Sequence, residues 1–148
     1  MKYVLTLTTA FLLLLLATPP VFAQGAGIEW EILNQEVMEL NRTGKYDRAV
    51  VVAKKALEVA EKNVGPNHPD VATSLNNLAE LYRTQGQYAP AEPLFKRALA
   101  ILEKALGPDH PDVATSLENL AVLYRATKRD QEAETLEQRA ARIRASQR

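Results

Sequence analysis

His68 and His110 are the only histidines, and each stands two residues before an aspartate, Asp70 or Asp112, in the run His-Pro-Asp. Imidazole and carboxylate are zinc ligands, but a zinc site gathers three or four of them at one place. Here each histidine has one carboxylate beside it, in a segment of its own. A second set of residues suits a different chemistry. The carboxamides of Asn76, Asn77 and Asn119 carry donors and an acceptor together, a combination able to bond a main chain whatever its side chains are. Arg83 and Arg125 offer planar forks that take a carboxylate bidentately. Asn34, Gln35 and Asn41 extend the same line toward the N-terminus. No Gly-rich phosphate loop, Gly-x-Ser-x-Gly elbow or His-Glu-x-x-His is present. The inventory is one for recognition: no catalytic residue, no metal and no cofactor are expected.

What must position these groups is a repeat. GPNHPDVATSLNNLAELYR (65–83) returns as GPDHPDVATSLENLAVLYR (107–125), 42 residues on and without a gap. A fainter copy precedes them, with Leu33, Asn34, Gly44, Tyr46, Ala49 and Ala56 lying 42 residues before Leu75, Asn76, Gly86, Tyr88, Ala91 and Ala98. A fixed period of this size means one supersecondary unit stacked on copies of itself. Three units are expected, at about 23–64, 65–106 and 107–148.

Within the middle unit, Leu75, Leu78, Ala79 and Tyr82 fall at i, i+3, i+4 and i+7, the stripe of an α-helix (helix A). Ala91, Leu94, Phe95, Ala98, Leu99 and Leu102 give a second stripe (helix B), and Gly86 between them marks a left-handed helix exit. The two helices fold back as an antiparallel pair, with Ala79, Ala91 and Ala98 permitting close approach and the next unit covering what each pair leaves open. Pro93 is expected near the end of helix B's first turn. Pro69 and Pro111 suit the first position of the next helix A, where a missing N–H costs nothing. Asp70 and Asp112 then face the positive end of its dipole.

The two ends of the array look like caps. Glu36 and Glu39 stand where the middle unit has Leu78 and Leu81, and Asp130, Glu137 and Arg144 replace Tyr88, Phe95 and Leu102. Polar outer faces stop a solenoid from growing, so the array is expected to finish at three units.

Residues 1–23 have the form of a signal peptide: Lys2, an apolar run from Val4 to Ala17, Pro19-Pro20, then small residues up to a cleavage point after Ala23. The alternative is an uncleaved anchor. The run is shorter than the roughly 20 apolar residues of a span and ends at two prolines. Export to a periplasm or to the medium is expected, with 24–148 as the mature domain and no membrane span after cleavage. The whole chain, 148 residues without cysteine, carries 18 basic and 18 acidic residues. Near-neutrality removes the long-range field of a nucleic-acid binder. The one local departure is Arg139, Arg142, Arg144 and Arg148, which either complement the dipole of the last helix or meet an anionic surface. Asn41-Arg42-Thr43 matches a glycosylation acceptor. Trp30, the single tryptophan, is expected to cover the end of the core.

The run HPDVATSLNNLAELY followed by GQY, AEPLF and RAL resembles the tetratricopeptide repeat in its longer, kinesin-light-chain-type form. That resemblance implies an all-α fold, a right-handed α-solenoid of three helix-turn-helix repeats. Its concave side, lined by helix A, would hold an extended or helical peptide from a partner protein, and no activity of its own is implied. It also implies that Asn77 and Asn119 reach the backbone of that peptide; the alternative is that they bond across neighbouring helices. His-Pro-Asp also occurs in J-domain co-chaperones, but once and after a basic helix, whereas here it opens a repeat twice. The other functional class left open is a structural protein that self-associates weakly through a terminal helix.

Overall fold

The computed structural model describes residues 21–148, which form six helices: α1 (Val21–Arg42), α2 (Tyr46–Val64), α3 (Pro69–Thr84), α4 (Tyr88–Leu106), α5 (Pro111–Ala126) and α6 (Asp130–Ser146). Helices α1, α3 and α5 are the A helices of three successive hairpins, and α2, α4 and α6 their B partners. The leader expected over residues 1–23 lies outside the described residues except for its last three positions.

Each boundary has a local cause. Proline opens α3 and α5, and at both the preceding histidine caps the helix: Nδ1 of His68 accepts from the Asp70 N–H, and Nδ1 of His110 from the Asp112 N–H, each at 3.2 Å. An acceptor placed there satisfies one of the backbone donors that a helix start leaves over. The A helices of the first two hairpins turn at Gly44 and Gly86, whose φ values are 71° and 73°, a region that favours glycine. In the third hairpin Lys128 holds the same place with φ 61°. Helix α4 begins at Tyr88, so Pro93 is its sixth residue, just past the first turn. Its missing N–H leaves the Ala89 carbonyl without the usual helical donor.

The apolar stripes are buried as their spacing requires. Phe95, Leu75 and Leu117 are fully buried, and Leu78 and Leu120 keep only 4% and 3% of their surface. Small residues sit where helices approach closely: Ala79, Ala91 and Ala98 are all at 0%. Each B helix packs on its own A helix, and the first two also on the A helix of the next unit; among the described residues the backbones of consecutive A helices approach closely, while consecutive B helices meet only through long side chains. The A layer therefore follows the inner, shorter arc of the solenoid.

The junctions repeat as the sequence does. On the outer side Arg97 of α4 reaches Glu61 of α2 at 2.6 Å and the Pro66 carbonyl at 3.4 Å. Forty-two residues on, Arg139 of α6 pairs with Glu103 of α4 and donates to the Pro108 carbonyl at 3.3 Å. One side chain thus ties two B helices and the Gly-Pro linker between them, at both junctions. Trp30, partly buried on α1, covers the cluster containing Val71 and Leu75 from the first unit, and its Nε1 donates to Ser74 Oγ at 2.8 Å.

Candidate functional site

The inner face is built by one stripe on each A helix, exposed except at the half-buried Asn77, Glu80 and Asn119: Glu31, Gln35, Met38 and Arg42 on α1; Thr73, Asn77, Glu80 and Thr84 on α3; Thr115, Asn119, Val122 and Ala126 on α5. These positions stand four, three and four residues apart, on one side of a helix, and opposite the buried stripe. Gln35, Asn77 and Asn119 occupy the same repeat position, so a carboxamide appears at the same height on all three helices.

Those carboxamides differ in engagement. Asn34 Nδ2 donates to the Trp30 carbonyl at 2.9 Å, and Asn77 Nδ2 donates to Asn34 Oδ1 at 3.0 Å. A carbonyl only accepts, so Asn34 must turn its nitrogen to Trp30 and its oxygen to Asn77. Asn77 must then answer with its nitrogen, which leaves its Oδ1 free. Of the two roles open for Asn77, bonding across neighbouring helices is therefore realised, with an acceptor left over. At the second junction the corresponding pair, Asn76 and Asn119, makes no such bond, and Asn76 Oδ1 is buried without a partner.

Both arginines of the expected site already hold carboxylates. Arg83 gives Nε to Glu80 at 2.8 Å and its terminal nitrogen to the other oxygen of the same group. Arg125 takes Glu137 of α6 in the same two-pronged way, at 2.8 and 2.7 Å, with Asp130 at 3.4 Å. These hydrogen bonds raise both guanidinium pKa values and lower that of Glu137. Asn41 lies in the last turn of α1, beside a shallow hollow lined by Gln35, Met38, Glu39 and Arg42. The Thr43 hydroxyl of the glycosylation motif donates back to the Glu39 carbonyl at 2.9 Å. The structure thus brings Gln35, Asn77 and Asn119 onto one line. It places Asn34 and Asn76 between helices and Asn41 at the rim.

Sequence reasoning missed three features. His68 and His110 are helix caps, a role hidden by the proline that follows each. Glu92 gathers Lys96 at 2.6 Å, Arg129 at 2.9 Å and the Tyr124 hydroxyl at 3.2 Å, with Arg129 stacked 3.8 Å from the centre of the Tyr124 ring. Hydrogen bonds from Lys96 and then Arg129 hold the Glu92 carboxyl below its ordinary value against the opposing effect of burial. Met38 is the third, and the register was a sufficient signal for it, since it occupies the same repeat position as Glu80 and Val122. Two of the four closing arginines are neutralised, Arg139 by Glu103 and Arg144 by Glu118, which halves the charge available for an anionic surface. Among the described residues no cluster of three metal-ligating side chains occurs, and no helix is long and apolar enough to cross a membrane.

Comparison with known proteins agrees with this geometry. Residues 38–104 and 91–146 match the tetratricopeptide repeat model. Among curated proteins, the secreted RxLR effector protein RXLR-C07 of Plasmopara halstedii is 38% identical over 64 residues, 43% of this chain and 20% of that protein. The RxLR effector protein SFI4 of Phytophthora infestans is 34% identical over 64 residues, 43% of this chain and 19% of that protein. The chain spans about a fifth of the length of these relatives. Among solved structures, BtubC from P. vanneervenii superposes with a TM-score of 0.74 at 32% identity, over 80% of this chain and 47% of that one. A kinesin light chain with nearly identical repeats from Podosopora anserina gives 0.73 at 26%, over 80% and 56%. The TPR domain of Arabidopsis FLU, at 18% identity and 0.69 over 81% and 98%, shares the fold. With three stacked hairpins in a 42-residue register and a family model matching nearly all of them, the chain belongs to the tetratricopeptide repeat family.

Proposed function

We propose that the chain is an exported protein-interaction module whose inner face, on α1, α3 and α5, holds a peptide segment of a partner protein and performs no chemistry of its own. Tetratricopeptide repeats are protein–protein interaction modules, and the observation that carries the reading further is the line Gln35, Asn77, Asn119. Three carboxamides at one repeat position stand on a mostly exposed stripe of the inner layer, where main-chain groups of an extended segment would meet them. Export rests on the leader-like residues 1–23 with cleavage after Ala23, and on the secreted effector among the relatives. The mature domain would then work in a periplasm or outside the cell.

A photo-crosslinking side chain placed at Gln35 or Asn119, and for comparison at Val51 or Thr135 on the outer B helices, tests the face directly in the protein's own compartment. Capture of one protein from the inner positions alone is the expected result; capture from the outer positions alone contradicts it. A second reading, self-association through the first helix, is favoured by Ile28 and Ile32, one turn apart on α1 and 56% and 57% exposed. Sedimentation over a range of concentrations separates the two.

A further inference from the structure

The inner face keeps its charges to itself. The forks of Arg42, Arg83 and Arg125 are each closed on a carboxylate of this chain, Glu39, Glu80 and Glu137. A carboxylate arriving from outside would have to displace one of these, exchanging one bidentate pair for another with no added hydrogen bond. Glu31, also on the stripe, and Asp130 beside Arg125 tilt the local balance toward acid. An acidic ligand meets repulsion there.

What the stripe leaves unmatched is apolar. Met38 is 66% exposed and Val122 48%, and they hold one repeat position two units apart, with the paired Glu80 on the line between them. Covering such side chains removes apolar area from water and favours association. One turn earlier on α3 and α5 stand the free Asn77 Oδ1, which accepts an N–H, and the unbonded Asn119 carboxamide, which both donates and accepts.

We propose that the occupant is an uncharged stretch of polypeptide with two apolar side chains, one seated on Met38 and one on Val122, while its main chain is read by Asn77 and Asn119. Acidic segments and free C-terminal carboxylates are refused. This specificity rests on the inner-face reading above, and the experiment keeps the two separable.

The whole chain is panned against random dodecapeptides displayed with free and with blocked C-termini. Selected peptides are expected to carry paired apolar residues without an excess of Asp or Glu, and to bind equally in both formats. For the amidated synthetic peptide, affinity is expected to change less than about twofold between low and high salt, since no exposed ion pair forms. It should fall about tenfold or more in Met38→Glu and in Val122→Glu at unchanged helicity, the loss of roughly 1.4 kcal/mol or more. Acid-rich peptides, a need for the free carboxylate or no enrichment at all overturns the proposal. Uncharged peptides whose affinity ignores both substitutions and Asn119→Ala overturn the inner-face reading itself, and the proposal with it.

Discussion

Asn77 donates to Asn34 at 3.0 Å across the first repeat junction, and the Trp30 carbonyl behind Asn34 fixes which way each carboxamide turns. The same two repeat positions at the second junction, Asn76 and Asn119, stay unbonded to each other. Two asparagines that look interchangeable in the repeat are thus a structural fastening in one unit and an open group in the next. Asn77→Ala should lower the unfolding free energy by about 1 kcal/mol, the worth of one intramolecular hydrogen bond. Asn119→Ala, which breaks none, should change it by less than half of that. Urea unfolding followed by circular dichroism measures both.

Ser74 and Ser116 make a parallel contrast. Ser74 Oγ accepts from Trp30, but the residue 42 positions after Trp30 is Ala72, so Ser116 Oγ is fully buried with no partner. Ser74→Ala strands the indole N–H and should cost about 1 kcal/mol; Ser116→Ala removes an unsatisfied hydroxyl and should stabilise by about as much. Opposite signs for one substitution at equivalent sites are the expected outcome in thermal melts.

Lys128 occupies the left-handed turn that Gly44 and Gly86 hold in the other hairpins. A non-glycine residue there is strained by about 1–2 kcal/mol, part of which the greater freedom of glycine in the unfolded chain offsets. Lys128→Gly should therefore raise stability by about 0.5–1 kcal/mol. Gly86→Ala should lower it by a similar amount.

Acid should loosen the second junction and the third hairpin. Glu92 and Glu118 titrate below the ordinary 4.5 when folded, because Lys96 and Arg129 hydrogen-bond the one and Arg144 the other. A carboxyl with a depressed folded value binds protons more readily unfolded, so its contribution is whole above about pH 4.5 and is lost as pH falls through the folded value. Stability should be level from neutrality down to that point and then decline. Glu92→Gln, which keeps the shape and loses the charge, should make the decline shallower in urea titrations at successive pH values.

The fold was legible because it is periodic: one hairpin, read from Leu75 to Leu102, was enough to place three. Glycine and proline at fixed offsets gave the turns, and the burial of Leu78 and Leu120 follows from the same stripe. The site was legible only as a line of polar types. Whether Arg83 and Arg125 stood free depended on Glu80, one turn away on the same helix, and on Glu137, on a different helix. Only the second pairing needs the tertiary structure, since i,i+3 neighbours meet on any helix. The histidine caps escaped notice because imidazole is a rare cap, and the proline after it already explained the helix start. The hydrogen bond of Trp30 escaped notice for a similar reason. Its partner, Ser74, lies in the next unit, and the bond has no counterpart elsewhere in the repeat to reveal it.

The side-chain amide and backbone resonances of the isotope-labelled chain, followed while a peptide selected from the library is added, test the central claim most directly. The account predicts shifts along residues 31–42, 73–84 and 115–126, with the Asn77 and Asn119 carboxamides among the largest and α2, α4 and α6 little changed. Shifts gathered on the outer B helices, with both carboxamides unmoved at saturation, would contradict it.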